Sequence, residues 1–423
     1  MVRTLGNPMS PTSAEKLFVA LTLFASTGAF TNLRVTGPIE AQYTGMLAAQ
    51  IFWLLIYIVA IALFFRRCDH PIRAILGVAP LVAVVAFALA SASWSLDPAL
   101  TLRRSVALGL TIVFGVYFAT CFELREQLRL LAWVCGICAL FSFFFQLLGL
   151  NPSEGQPGWY GIFYVKNELG RNMAIGALVF LFWGRVEPQR RGLARAGFLA
   201  SVALIALSRS MTAIIAFALV LALLPYLQWT LRRSVRLALA GTAFLLAAGG
   251  ATLLYVVAHM AEVTGFVGKS ATLTGRVPLW IFSFVAALRR PWLGYGFNAF
   301  WLPDATYAER IWHAMGSVLP HAHNGFLELW LELGLVGLGL FMLVLVYYIA
   351  KGLQNMRRDP GAAAAWPVAF LVFLLLENLA ETAFLTTNYV CVMLYAAAAV
   401  SISAAQSEAY ARDGAAGTKE RHA

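Results

Sequence analysis

The residues with chemistry to offer gather at a few places in the chain. His321-Ala322-His323-Asn324 holds two of the six histidines, between Pro320 and an apolar run that begins near Phe326. Asn324 is placed to cap the following helix, which sets His323 just outside a helix N-terminus. An imidazole there can take a proton from a hydroxyl at neutral pH. A metal site has less support, because histidines two apart in a loop diverge unless the backbone turns, and no third ligand stands nearby. A structural pair of interfacial histidines is the remaining reading.

Arg209 occupies Ser208-Arg209-Ser210, a turn between two apolar runs. A guanidinium at such a place is costly unless it faces water or an anion. It either snorkels to lipid headgroups or clamps a phosphate, which its fork of donors suits. Arg276 follows Thr274-Gly275 and opens a short helix containing Trp280. That pattern fits an anion site and ordinary capping equally. In the stretch from Gly161 to Asn172, Lys166 and Arg171 can bind phosphate or sugar, and Asn167 can cap the next helix. An ordinary capped loop is the alternative. Glu377, Asn378 and Glu381 lie at the ends of the last two apolar runs, where acids hold arginines in place more readily than they act directly.

These groups need elements to carry them, and composition says which kind. Of 423 residues, 61% are hydrophobic and only 12% charged, and mean hydropathy is +0.75. A soluble domain carries about 25% charged residues, so most of this surface must face lipid. Strands of a membrane barrel alternate apolar and polar over about 10 residues, whereas 237–257 stays apolar for roughly the 20 residues of a spanning helix. The expected fold is an all-α polytopic membrane protein with about twelve transmembrane helices and one large periplasmic loop containing short helices. Twelve segments approach spanning length: 16–33, 43–65, 74–93, 100–121, 129–150, 168–184, 196–208, 211–230, 237–258, 326–350, 362–380 and 384–404. The chain therefore divides into helices one to nine (1–258), a periplasmic loop (259–325), helices ten to twelve (326–404) and a disordered cytoplasmic tail (405–423). Within the loop, 279–288 and 297–302 read as short amphipathic helices over the outer mouth. Residues 1–16 are polar, and the first apolar stretch reads as a retained span.

The net charge of +11 would suggest nucleic acid in a soluble protein. Here it orients helices instead: with the N-terminus inside, twenty of the 31 Lys and Arg residues fall on cytoplasmic segments. No nucleic-acid partner is expected. The five cysteines form no disulfide or zinc framework, and Cys135 and Cys138 sit in an apolar helix where packing accounts for them. Charge gathers at the outer mouth and the mid-span positions are nearly all apolar, which favours surface chemistry over transport.

Several motifs, in order, resemble the O-antigen ligase and polymerase superfamily. They are Ser93-Trp94-Ser95 with Asp97-Pro98, Gly161 to Asn167, Ser208-Arg209-Ser210, and Thr274-Gly275-Arg276 with Trp280. Pro291-Trp292-Leu293-Gly294-Tyr295-Gly296, His321-Ala322-His323-Asn324 and Leu333-Gly334-Leu335-Val336-Gly337-Leu338 complete the set. The resemblance implies an O-antigen ligase that moves polysaccharide from undecaprenyl pyrophosphate to lipid A–core oligosaccharide at the periplasmic face of the inner membrane. It implies inverting transfer with no metal, nucleotide or other cofactor. The matching positions make His323 the base and Arg209 and Arg276 the pyrophosphate ligands; His321, Lys166, Asn167, Arg171 and Asn324 are expected beside them as substrate-binding residues. A polymerase acting on a prenyl-linked acceptor, and a lipid-linked oligosaccharide transporter, are the rival readings.

Overall fold

The computed structural model describes residues 11–30, 47–150, 157–231, 240–241, 276–303 and 306–420, with side chains of the last helix described as far as 405. The described residues are helical with no strand, and the protein is an all-helical polytopic membrane protein. The helices are α1 (Ser13–Ser26), α2 (Leu47–Arg67), α3 (Pro71–Leu76), α4 (Ala79–Ala90), α5 (Pro98–Cys121), α6 (Leu124–Leu147) and α7 (Lys166–Val186). They continue with α8 (Arg191–Ser208), α9 (Met211–Leu231), α10 (Arg276–Arg289), α11 (Thr306–Met315), α12 (Gly325–Arg358), α13 (Ala362–Glu377) and α14 (Val390–Glu420). Six of these are long and apolar enough to cross a membrane: α2, α5, α6, α8 with the 3-10 turn before it, α9 and α12. Helices α4 and α13 and the start of α14 are apolar but shorter. Eleven of the twelve expected segments overlap described helices, and 237–258 lies outside the described residues except for 240 and 241.

The boundaries differ from expectation where local chemistry intervenes. Segment 74–93 is two helices, because Pro80 has no N–H for the turn before it and α4 must start afresh after Gly77. The last segment starts at Val390 rather than 384, leaving 378–389 as a connecting loop. It also runs on to Glu420, past the expected start of the disordered tail; its alanines favour helix. Segment 279–288 is helical, within α10, but 297–302 is not. Gly296 and Asn298 take positive φ there (99° and 57°), and the chain turns to bury Phe297, Phe300 and Trp301. The second short helix is instead α11, further along.

Polarity sorts the helices between lipid and interior. α2 buries only Tyr57, Ala60 and Phe64 along its length, so most of it faces outward. α7 is the opposite case. It carries Lys166, Glu168, Arg171 and Arg185, and it buries a continuous run from Leu169 to Phe180. Charged groups inside an apolar bundle need protein around them, and α7 sits between α6, α8 and α13. Small residues bring these helices close: a Cβ on Gly170 would lie 2.8 Å from Ser210 Cβ, and one on Gly176 would lie 3.2 Å from Cys135 Cβ.

One end of the bundle is laced by ion pairs: Arg67 with Glu15, Lys16 with Glu126, and Arg125 and Arg129 with Glu187. The other end carries a cap with its own small core, built from Leu279, Ala286, Tyr295, Phe300, Trp301 and Leu331 among others. The cap is stitched into α12, whose helix is interrupted at Gly334 (φ 69°, ψ −176°). The freed carbonyls of Leu331 and Glu332 accept the N–H groups of Tyr295 (2.8 Å) and Gly296 (2.9 Å). In return Leu335 and Val336 donate to the carbonyls of Pro291 (2.8 Å) and Trp292 (3.2 Å). The loop thus supplies the partners that the broken helix lacks. Glycine is required at Gly334, since a Cβ there would strike the Trp292 carbonyl.

Candidate active site

The site lies at the cap end, where α7, α9, α10, α12 and the loop after α13 converge. His323 takes a left-handed backbone (φ 50°) and is followed by Asn324, the N-cap of α12. Asn324 Oδ1 accepts from the N–H groups of Phe326 and Leu327, each at 3.0 Å, as expected from the sequence. Its Nδ2 donates to the Leu379 carbonyl (3.0 Å), and Gly325 N–H donates to the Asn378 carbonyl (2.9 Å). The His loop is therefore fixed to the loop that carries Glu381.

Glu381 is the hub. Its Oε1 accepts from Asn167 Nδ2 (2.6 Å) and from an Arg276 Nη, while Oε2 lies 3.3 Å from His323 Nδ1. The carboxyl is only 4% exposed. Burial by itself raises its pKa, but the His323 hydrogen bond and the charges of Arg276, His323 and Arg171 win and bring it from 4.5 down to about 2. An ionised carboxylate only accepts, so the proton of a neutral His323 sits on Nδ1. The lone pair of a neutral ring is then on Nε2, which has no hydrogen-bond partner among the described residues, on a side chain 27% exposed. That is the arrangement of a general base held in one tautomer by a carboxylate.

His321 is set apart. Its ring meets that of His323 edge to face at 4.2 Å, and its Nδ1 accepts the His323 backbone N–H (3.3 Å). Desolvation, then the charges of His323, Arg171 and Arg276, push it from 6.5 down to about 3 against the pull of Glu381. It is a neutral acceptor that shapes the loop.

Arg276 opens α10, as expected, although Thr274 and Gly275 lie outside the described residues. Its second contact is Thr212 Oγ1 at 3.4 Å, in the first turn of α9. Three residues earlier, Arg209 ends α8 in a left-handed conformation (φ 53°) and is exposed. It borders an open cavity of about 460 Å³ lined by Gly158, Trp159, Ala206 and Leu207. The two arginines thus flank the start of α9, one in the cavity wall and one against Glu381.

The remaining expected residues sort differently. Asn167 does not cap α7: Val165 is the N-cap and makes no side-chain bond, and Asn167 reaches across to Glu381 instead. Lys166 Nζ donates to the Pro157 carbonyl (3.1 Å). Arg171 is turned into the bundle, 5% exposed, with its guanidinium over the Tyr389 ring at 5.0 Å. It supplies buried positive charge beneath Glu381 and Glu377 rather than a contact at the mouth. From the sequence, Glu381 reads as an anchor for arginines, and it does pair with Arg276. Its bond to the imidazole was not legible, because 58 residues separate it from His323. Glu328 is a further candidate, signalled in the sequence as an acid in the first turn of an apolar span. Its carboxylate accepts from Trp301 Nε1 (2.8 Å) and from Ala322 N–H (2.7 Å).

The capped end of the helical bundle thus brings together a histidine bonded to a carboxylate and two arginines. A family model described as O-antigen ligase matches residues 196–342. The exopolysaccharide production protein ExoQ of Rhizobium meliloti (strain 1021) is 30% identical over 306 residues, which is 69% of this chain and 70% of ExoQ. The chain belongs to the O-antigen ligase superfamily, and it is a polysaccharide-processing membrane enzyme of the ligase and polymerase kind.

Proposed function

We propose that the chain is an O-antigen ligase. In this reading it transfers polysaccharide from undecaprenyl pyrophosphate to a hydroxyl of lipid A–core oligosaccharide, at the periplasmic face of the inner membrane and without metal or ATP. The observation that carries the proposal is the joint between Arg276, Glu381 and His323. It sets a cation suited to a pyrophosphate beside a base suited to a hydroxyl.

The acceptor hydroxyl gives its proton to His323 Nε2 as its oxygen bonds to the anomeric carbon. The bond from that carbon to the pyrophosphate oxygen breaks, and its electron pair leaves with the phosphate. Attack from the face opposite the leaving group inverts the anomeric centre. Glu381 holds Nδ1–H and stabilises the imidazolium that forms. Arg209 and Arg276 meet the charge growing on the pyrophosphate, and cations in place before the reaction need no reorganisation during it. Arg276 exchanges its Glu381 partner for the donor's phosphates, which ties donor binding to the group that orients the base. Both substrates are lipid-anchored and arrive laterally, so energy comes from the donor bond alone.

A second reading is favoured by ExoQ, whose name concerns exopolysaccharide. The same single displacement with a prenyl-linked acceptor would lengthen a polymer. Purified protein given prenyl-linked polysaccharide and lipid A–core separates the two. Product on lipid A–core supports ligation; longer chains on the prenyl carrier alone move the assignment to polymerase; neither product rejects both.

A further inference from the structure

The loop that carries the two histidines is held at a point that the reaction does not itself require. The peptide groups of Ala322, between His321 and His323, are captured on both sides. The Ala322 carbonyl accepts from Trp280 Nε1 on α10 (3.0 Å), and the Ala322 N–H donates to Glu328 Oε2 on α12 (2.7 Å). Glu328 uses its other oxygen for Trp301 of the cap (2.8 Å), and Ala322 is fully buried. One residue on, His323 sits in a left-handed conformation that a non-glycine residue holds only where its surroundings enforce it.

Trp280 also stands four residues after Arg276. That spacing puts both on one face of α10. Their partners agree: Arg276 reaches Glu381, which holds His323, and Trp280 reaches the peptide just before His323. A single short helix thus presents the pyrophosphate ligand and fixes the loop bearing the base.

We propose that Trp280 and Glu328 are positioning residues for His323, clamping the Ala322 peptide so that the base and the Arg276 helix are placed as one unit. The proposal rests on the reading of His323 as the base, and it adds residues that touch neither substrate. Catalysis is sensitive to such placement, since an ångström of error in a reacting group can cost about a hundredfold. The indole N–H is the only donor on Trp280's side chain, so Trp280→Phe removes the bond while keeping most of the packing. Glu328→Gln keeps an acceptor for one of the two N–H groups and loses the other.

The test is a double-mutant cycle in detergent-purified protein, with thermal unfolding as the control for folding. Trp280→Phe is expected to lower kcat about tenfold with little change in KM for the prenyl-linked donor. In a His323→Ala background it should cost almost nothing further, because the base it positions is gone. An equal loss in both backgrounds, or no loss in either, overturns the proposal. Glu328→Gln serves as the second variant and should show the same dependence on His323. A parallel measurement reads the clamp without activity: carbethoxylation of His323 by diethyl pyrocarbonate, followed by mass spectrometry, should run several-fold faster in Trp280→Phe. An unchanged rate rejects the clamp. If carbethoxylation speeds up as expected while His323→Ala turns over normally, the clamp stands and the assignment of His323 as base fails.

Discussion

Glu381 joins Asn167, Arg276 and His323, which stand 214, 105 and 58 residues away in sequence. That joint determines what single substitutions should do. His323→Ala should lose about 10²- to 10⁴-fold in turnover while still binding donor, the range typical of general-base catalysis. His321→Ala should be milder, because a neutral imidazole that accepts one backbone N–H shapes the loop but takes no proton from the acceptor. The assay is single-turnover transfer with donor binding measured separately, and a dead His321→Ala beside an active His323→Ala reverses the roles. Arg209→Ala and Arg276→Ala should each cripple transfer, and Lys at either place should rescue little, since a point charge does not replace a bidentate fork. Wild-type turnover in either Ala variant removes that arginine from the clamp.

Glu381 also predicts a pH dependence of stability. Its carboxyl ionises more readily in the folded protein, about 2 against an ordinary 4.5. The stabilisation is therefore complete above the ordinary value and is lost as pH falls toward 2. Glu381→Gln leaves a guanidinium without its partner, and breaking such a buried pair costs about 3–5 kcal/mol. The Tm gap between wild type and variant should be widest near neutrality, begin to narrow below about pH 4.5 and close as pH falls toward 2. A gap of constant size across that range would mean the loss is one of packing.

At the scale of elements, the decisive feature is the interruption of α12. Gly334 lets the helix break, and the Pro291 to Gly296 loop completes the hydrogen bonds on both sides of the break. This explains two glycine-rich motifs that the sequence shows 38 residues apart at Gly296 and Gly334 as halves of one joint. Gly334→Ala puts a Cβ on the Trp292 carbonyl in a left-handed backbone. It should cost at least about 1–3 kcal/mol, and with the cap loosened, activity should fall along with Tm. Unchanged melting in detergent would mean the joint does not bear on stability. The same joint shows why 297–302 is not a helix. Its aromatic residues look amphipathic in sequence, yet the chain has just left a tight junction at Gly296 and uses Phe300 and Trp301 to fill the cap's core.

Over the whole molecule, the ion-paired end and the capped end are opposite faces of one bundle. If the capped end is periplasmic, as proposed, a cysteine at position 270 should react with an impermeant maleimide in cells with a permeabilised outer membrane, and one at position 407 should not. The reverse pattern overturns the orientation and, with it, access to donor and acceptor from the periplasm. Hydropathy and charge determined the membrane class, the positions of most helices and the loops where polar groups gather, because burial in lipid demands long apolar runs that composition cannot hide. Local signals also determined the Asn324 cap, the turn at Arg209 and the helix that Arg276 opens, each of which depends on neighbours within a few residues. Tertiary structure alone decided that Arg171 points inward, that Asn167 serves Glu381 rather than its own helix, and that Glu381 fixes the imidazole. Those facts depend on which helices pack side by side, and contacts between groups 58 to 214 residues apart leave no periodicity in a single sequence.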